Sequence, residues 1–330
     1  MTDHYRIFGS EMSPYSVKVR SYFRFKAVPH EWIPRRPAVD EEYKKYARLP
    51  IVPTVATPEN VGIQDSTPII ELVEGKFAEP SIHPTDPDLK FLSQLIEEFG
   101  DEWGNKLMFH HRWWDEIDQR ASAKTLARLN MPHGTEEEVA GLAKMILQRM
   151  SGRGSFVGSS AATAHLITEY YFELLDILEP HLAGRKYLFG ARPSFGDFGL
   201  YAQLYEASID PTCGGIIRAR GPKVLDWCFR MIEPRNGGAF EEWSALKPTL
   251  APLLAYIGKY FLPWSQANAA ALAAGEKEFS IVLAGKTYTQ PPQKYHAKSL
   301  QAIQTAFRAV PDKNKLNAIL SDADCLSYLA

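Results

Sequence analysis

The spacing of hydrophobic positions divides the chain near residue 80. Before that point, short apolar runs alternate with helical stripes, and the first such stripe repeats at i, i+4, i+7 and i+8 on Tyr15, Val19, Tyr22 and Phe23. Strands are predicted at residues 5–8, 31–33, 52–56 and 60–64, and helices at 14–27, 39–48 and 66–73. This βαβαββα order predicts a parallel strand pair, joined by a crossover helix, with an antiparallel hairpin added to the same sheet.

After residue 88 the periodicity becomes helical throughout. Helices are predicted from residue 92 to 118, and at 134–150, 160–182, 215–232 and 247–262. A small hairpin is predicted at 279–289, with helices near 296–309 and 313–321. We therefore divide the chain into an α/β domain at 1–80, a linker at 81–88, an all-α domain at 89–262, and an extension at 263–330. The extension is too short for an independent core and is expected to pack on the helical domain.

Composition excludes several classes of protein. A net charge of -2 and a pI near 6.5 argue against nucleic acid or an anionic membrane surface as the main partner. No apolar run reaches the roughly 18 residues of a membrane span, and the first residues lack the apolar core of a signal peptide. Cysteines are too few and too scattered for a disulfide framework or a zinc site, and they stand at Cys213, Cys228 and Cys325. A cytoplasmic location is expected.

Two segments carry helix-start signals. Pro14 suits a first helical turn, so Ser13 would be the N-cap, beside free backbone donors and the positive end of the helix dipole. Such a position either only caps the helix or also stabilises an anion, and an anionic sulfur is one candidate. Further on, Ser194 and Asp197 have the spacing of a capping box, which favours a structural role for Asp197 over that of a catalytic acid.

Four short segments are distinctive in residue type and position: Ser13-Pro14-Tyr15, Val52-Pro53, Asp65-Ser66 and the stretch from Ser194 to Asp197. Together with the order of elements they resemble the glutathione transferase superfamily, which has a thioredoxin-like domain followed by a helical bundle. The resemblance covers residues 1 to about 262. It implies a cis proline at Pro53, whose neighbouring backbone pairs with the cysteinyl part of glutathione. It also implies that Asp65 and Ser66 hold the γ-glutamyl end.

The chemistry implied by this resemblance is activation of the glutathione thiol for attack on a small hydrophobic electrophile, in a cytoplasmic homodimer that serves detoxification. Ser13 is the expected donor to the sulfur and Ser10 its nearest rival, with Ser16 as another hydroxyl in the segment. Ser13-Pro14-Tyr15 matches the Cys-Pro-Phe/Tyr pattern of the cysteine classes with serine in place of cysteine. Because residues 1–212 contain no cysteine, a thiol–disulfide mechanism is disfavoured and a serine-type transferase is expected.

Two departures from the family pattern affect the glycine end of glutathione. Ile51 stands where a lysine often precedes the Val-Pro pair, and Ala47-Arg48-Leu49-Pro50 replaces the usual Asn-Pro-X-Gly turn. The glycine carboxylate would then need another cation, for which Lys44, Lys45 and Arg48 are candidates.

The resemblance places the electrophile pocket between the domains, lined by aromatic residues of two helices: Phe109, His110, Trp113 and Trp114, and Tyr170 and Tyr171. No metal is expected, because the adjacent His110 and His111 point apart on a helix and lack a third ligand. Two alternatives stay open, namely a non-catalytic glutathione-fold module for binding or assembly, and a glutathione-dependent lyase or isomerase.

Overall fold

The structure is a computed structural model that describes residues 3–330. The first domain has the predicted βαβαββα order, and its elements are β1 (Tyr5–Gly9), α1 (Pro14–Phe25), β2 (His30–Pro34), α2 (Asp40–Tyr43), β3 (Thr54–Ala56), β4 (Gly62–Gln64) and α3 (Ser66–Lys76). The thioredoxin-like fold class is thereby confirmed. The predicted helix at 39–48 is reduced to a 3-10 turn and the four residues of α2.

The sheet has the strand order β2-β1-β3-β4, in which β1 and β2 are parallel and the other pairs are antiparallel. Strand β1 buries Ile7 completely, and α1 covers the same core with Val19 and Phe23. The apolar spacing that predicted these two elements is therefore the spacing of their buried faces.

The register brings four loops to one edge of the sheet. Gly9 at the end of β1 pairs with Pro34 at the end of β2, while Thr54 at the start of β3 pairs with Phe8 and with Gln64. Residues 10–13, 35–36, 52–53 and 65–66 consequently leave or enter the sheet at this edge.

The second domain is helical. Its elements are α4 (Pro87–Phe99), a π-helical turn (Gly100–Gly104), α5 (Asn105–Trp114), α6 (Glu116–Asn130), α7 (Glu136–Ser151), α8 (Ala164–Ala183), α9 (Phe195–Ser208), α10 (Pro211–Arg220), α11 (Pro222–Arg230), α12 (Trp243–Tyr256), a second π-helical turn (Ile257–Phe261) and α13 (Leu262–Ala274). Helix α9 is the central element, since it is buried along almost its whole length.

Three helix predictions differ from the structure. The helix predicted to end at residue 118 breaks at Asp115, whose backbone is extended, and α6 follows it unpredicted. The helix predicted at 215–232 is two helices, because Gly221 and Pro222 interrupt it. The helix predicted at 247–262 continues to Ala274, because Pro263 falls in the first turn of α13, where no backbone donor is needed.

The predicted capping box is present at the start of α9. Asp197 is fully buried, and its Oδ1 accepts hydrogen bonds from the Leu188 amide at 2.8 Å and from Nε1 of Trp227 at 2.9 Å. Its Oδ2 accepts from the Ser194 amide at 2.8 Å and the Ser194 hydroxyl at 2.7 Å. Burial raises the pKa of Asp197 to about 6. Every bond of this carboxylate is internal, as a structural role requires.

The remaining residues form β5 (Phe279–Leu283), β6 (Lys286–Gln290), α14 (Lys294–Ala309), α15 (Asn314–Asp322) and α16 (Leu326–Leu329). Phe307 of α14 packs edge-to-face on Phe91 of α4, with ring centroids 5.5 Å apart. At its other end, α14 carries Tyr295 to the first domain. In the part of the chain that the structure describes, no helix has the length and apolar character needed to cross a membrane.

Candidate active site

Ser13 is the N-cap of α1. Its backbone is extended and its Oγ accepts a hydrogen bond from the Ser16 amide at 3.3 Å. Accepting this bond leaves the hydroxyl proton of the half-buried Ser13 free to be donated to an anion. The cap also lies at the positive end of the α1 dipole, which favours negative charge there.

The other hydroxyls of the segment differ in how they are used. Ser10 is half-buried, and its Oγ accepts from the Met12 amide at 3.3 Å, so it too keeps a proton to donate. Ser16 is fully buried. Tyr15 donates to the backbone oxygen of Asp101 at 3.0 Å. Ser13 and Ser10 are therefore the two hydroxyls of this loop that face partly outward.

The Val52–Pro53 peptide bond is cis and leads directly into β3. The loop before it is held by the side chain of Gln64, whose Oε1 accepts from the amides of Arg48 at 2.7 Å and Leu49 at 2.9 Å. Its Nε2 donates to the Leu49 carbonyl at 2.8 Å. A neutral amide thus orders a loop that here lacks both the family's turn and its lysine.

Asp65 and Ser66 occupy the turn from β4 into α3. Asp65 has a φ of 77°, a left-handed conformation that is uncommon outside glycine. Its Oδ2 accepts a hydrogen bond from the Tyr295 hydroxyl at 2.8 Å. Ser66 is buried and its hydroxyl turns inward, where Nζ of Lys18 lies 3.3 Å away. The Ser66 hydroxyl therefore points away from the γ-glutamyl end implied by the resemblance, and the backbone N–H groups at the start of α3 are the donors that could face it.

Lys18 is a site-supporting residue that the sequence reasoning missed. Its fully buried Nζ lies 2.6 Å from Oδ2 of Asp101 and also pairs with Glu97. Burial alone would lower the pKa of Lys18, but these two carboxylates raise it above its ordinary value. The available signal was its position, since Lys18 shares the helical face of Tyr15 and Tyr22 and so had to be buried with partners.

Glu102, the neighbour of Asp101 in the chain, is a further buried acidic residue. Burial raises the pKa of Asp101 to about 7 and that of Glu102 to about 8. Glu102 pairs with His296 of α14, and burial lowers the pKa of His296 to about 3. Burial thus favours the uncharged form of each partner.

The candidates for the glycine carboxylate lie on the surface. Lys44 pairs with Glu41 at 2.7 Å, and both residues are exposed. Lys45 and Arg48 are exposed as well. Their role toward glutathione stays a prediction.

The six residues predicted to line the electrophile pocket differ in exposure, and their role stays a prediction. Tyr170 and Tyr171 are buried in the helical core, Trp113 is 5% exposed, and Phe109 is half-buried against the core. His110 is buried and hydrogen bonds Oγ of Ser159 at 2.7 Å, whereas Trp114 is 40% exposed. Between residues 3 and 330, no group of three or more His, Cys, Asp or Glu residues could hold a metal ion.

A cavity of about 270 Å³ lies instead beside Ser10. The loops after β1 and β2 and the end of α6 form it, and its lining residues are Gly9, Ser10, Glu11, Pro34, Arg35, Arg36, Arg128, Leu129, Asn130 and Pro132. None of the six predicted pocket residues is among them. The missed element, α6, therefore supplies one wall of a cavity that Ser10 also lines.

Comparison with known families agrees with this fold. Residues 7–81 match the family model of the glutathione S-transferase N-terminal domain, and residues 146–228 match that of the C-terminal domain. The chain belongs to the glutathione S-transferase superfamily. Members of this superfamily bind glutathione, and membership supports a glutathione-related enzyme.

Solved structures are similar to this chain at low identity. The β-etherase LigF from Sphingobium sp. strain SYK-6 is 18% identical, with a TM-score of 0.50, over 74% of this chain and 98% of that one. A Tau class glutathione S-transferase from mango is 17% identical, with a TM-score of 0.43, over 70% and 89% of the two chains. No curated protein sequence matches the chain.

Proposed function

We propose that this protein is a serine-type glutathione transferase-like enzyme, in which Ser13 stabilises the thiolate of glutathione. The observation that carries the proposal is the single sheet edge that gathers Ser13, the cis Val52–Pro53 bond and Asp65. These residues come from three separate loops, and each matches a position that the superfamily uses for the tripeptide.

Each part of glutathione has a matching group at this edge. The Asp65 carboxylate suits the γ-glutamyl ammonium, and the free N–H groups at the start of α3 suit its carboxylate. The backbone beside Pro53 would pair with the cysteinyl unit in the manner of a strand. This alignment directs the sulfur toward the start of α1, where Ser13 and the helix dipole lie.

Thiolate formation is the step that the protein assists. A free thiol has a pKa near roughly 8.5, so it is mostly protonated at neutral pH, and the thiolate is the nucleophile. A hydrogen bond from Ser13 and the α1 dipole would lower this pKa, and the thiol proton would pass to solvent. The thiolate then attacks the electrophilic carbon, a C–S bond forms, and the leaving group departs with the electron pair of its bond.

The test combines glutathione binding with turnover of a neutral aryl chloride. Calorimetric titration should show glutathione binding at millimolar concentration or below. Ser13→Ala should reduce turnover at pH 7 by about tenfold or more, whereas Ser13→Thr, which keeps the hydroxyl and the cap, should retain most of it. Absence of binding would contradict the proposed enzyme activity. Turnover by Ser13→Ala equal to that of the wild type would mean that Ser10, and not Ser13, stabilises the thiolate.

A non-catalytic glutathione-fold module is the second candidate. It is favoured by Ile51, which replaces the lysine of the family pattern, and by the C-terminal extension, which contacts the first domain through Tyr295. Glutathione binding without turnover of aryl halides, epoxides or aryl ethers would support it. The aryl ethers also test the lyase alternative, because displacement of an aryl oxide by the same thiolate cleaves the ether.

The proposal includes a cytoplasmic location and a homodimer, with detoxification of small hydrophobic electrophiles as the role. All three cysteines are buried free thiols, which suits a reducing compartment. Sedimentation equilibrium measures the oligomeric state directly.

A further inference from the structure

The residues that line the cavity beside Ser10 carry a net positive charge, which a purely hydrophobic electrophile would leave without a partner. Its lining carries three guanidinium groups, from Arg35, Arg36 and Arg128, against one carboxylate, from Glu11. The rest of the wall is neutral, with apolar surface from prolines and a leucine. A ligand that fits this space should therefore combine an apolar body with negative charge.

Three of the four charges have partners within the protein. Glu11 pairs with Arg20 at 2.7 Å, and Arg35 pairs with Asp40 at 3.0 Å. Arg128 pairs with Glu136 and also donates to the Gly134 carbonyl at 2.7 Å. These groups shape the wall, but their charges are largely compensated.

Arg36 is different. Within residues 3–330 no carboxylate lies within ion-pair distance of it, and its buried Nε has no hydrogen-bond partner. The side chain is half-buried, at the loop directly after β2. A guanidinium that is partly removed from water without a counter-ion is matched best by a carboxylate or another planar anion, which it can bind through two parallel hydrogen bonds.

Position connects this charge to the chemistry. Gly9 pairs with Pro34 in the sheet, so the loops that carry Ser10 and Arg36 leave the same edge side by side. Both loops line the cavity. An electrophile held there has its anionic end at Arg36 and its reactive carbon toward the loop at 10–13, where the proposed thiolate forms.

We propose that this cavity is the electrophile site and that Arg36 selects substrates bearing a carboxylate. The inference rests on the proposed transferase function and adds the substrate class. The volume of about 270 Å³ suits a molecule of about one aromatic ring.

The experiment compares 4-chloro-3,5-dinitrobenzoate with its methyl ester at saturating glutathione. The two probes share the reacting carbon and the chloride leaving group, and the ester is intrinsically the more reactive because it withdraws electrons more strongly. Wild-type protein should prefer the carboxylate when each kcat/KM is divided by the rate constant of the uncatalysed reaction with glutathione. Arg36→Gln should lower kcat/KM for the carboxylate by about tenfold and change that for the ester by less than about twofold.

Arg149→Gln is the matched control, because it removes the same charge from an exposed position on α7. Glu136 is the partner of Arg128 at the cavity, and Arg149 lies 13 residues further along α7, about 20 Å away along the helix. The control substitution should leave both probes unaffected. Equal loss for both probes in Arg36→Gln, or no preference in the wild type, would overturn the inference.

Two further measurements separate the possible failures. If Arg36→Gln raises KM for glutathione with both probes, the guanidinium binds the glycine carboxylate of the tripeptide and the inference is wrong. If the wild type turns over neither probe, the proposed transferase activity fails, and binding of the unreactive 3,5-dinitrobenzoate decides the inference by calorimetry. Binding weakened about tenfold in Arg36→Gln would support the anion site, and unchanged binding would contradict it.

Discussion

The Tyr295 hydroxyl donates a hydrogen bond of 2.8 Å to Oδ2 of Asp65, across 230 positions of the sequence. Asp65 is the carboxylate proposed to receive the ammonium of glutathione, and its backbone is in the left-handed region. A tyrosine hydroxyl keeps its proton below about pH 10, so it acts here as the donor. The contact fixes one carboxylate oxygen and leaves the other for a ligand.

We therefore predict that Tyr295→Phe weakens glutathione binding. Loss of one hydrogen bond to a carboxylate should raise Kd about fivefold, which corresponds to about 1 kcal/mol. Calorimetric titration measures this, and Tyr328→Phe, in the last helix of the chain, is the control that should leave Kd unchanged. Tighter binding by Tyr295→Phe would mean that the tyrosine competes with the ammonium.

Lys18→Met should destabilise the protein strongly. It leaves Glu97 and Asp101 buried without their cation, and breaking a buried ion pair in this way costs about 3–5 kcal/mol. Denaturant unfolding measures the loss, and Lys90→Met at an exposed position of α4 should change stability by less than about 0.5 kcal/mol. Adding Glu97→Gln and Asp101→Asn should recover much of the loss, and a failure to recover would contradict this charge-based account.

Glu102 predicts a definite pH dependence. Because burial raises its pKa to about 8 from an ordinary 4.5, the folded protein keeps a proton that the unfolded chain has released. Unfolding between about pH 4.5 and 8 therefore releases this proton, and Glu102 lowers the free energy of unfolding as pH rises, by up to about 1.4 kcal/mol per pH unit. Above about pH 8 both states are ionised and the slope ends.

Glu102→Gln removes this titration and resembles the protonated acid. Its stability relative to wild type should improve steadily across that window, as measured by unfolding at pH 5.5, 7 and 8.5. Parallel curves for the two proteins would show that Glu102 is ionised in the folded state throughout.

Asp197→Asn tests the structural role of the α9 capping box. Both oxygens of Asp197 accept hydrogen bonds, so the NH2 group of asparagine would face donors in place of one of them and leave those donors unpaired. We therefore expect a loss of about 3 kcal/mol in the free energy of unfolding. The exposed capping box of α7 provides the comparison, since Glu138→Gln there should cost less than about 1 kcal/mol. Glutathione affinity of the folded Asp197→Asn protein should be unchanged. A large loss of affinity at unchanged stability would instead give Asp197 a functional role.

The fold was predictable because its signals are local. Short apolar runs predicted the strands, Pro14 marked the start of α1, and the spacing of Ser194 and Asp197 marked a capping box. The resemblance of Val52-Pro53 to a superfamily position correctly indicated a cis bond. Each of these signals lies within a few residues of the structure that it predicts.

The missed features depend on contacts between distant segments. Helix α6 was missed because the polar residues around Asp115 give no clear sign of a helix boundary. The wall of the cavity that α6 forms was therefore missed as well. The contacts of Lys18 with Glu97 and of Tyr295 with Asp65 join residues 79 and 230 positions apart. Periodicity indicates that a side chain is buried, but it does not identify the partner.

The burial of Lys18 has a consequence for how the molecule melts. The lysine belongs to the thioredoxin-like domain, while both of its carboxylate partners belong to the helical domain. Separating the domains would leave an ammonium on one and two carboxylates on the other, each stripped of its counter-charge. The two domains should therefore lose structure together, as one endotherm in a calorimetric scan, even though each has a fold of its own.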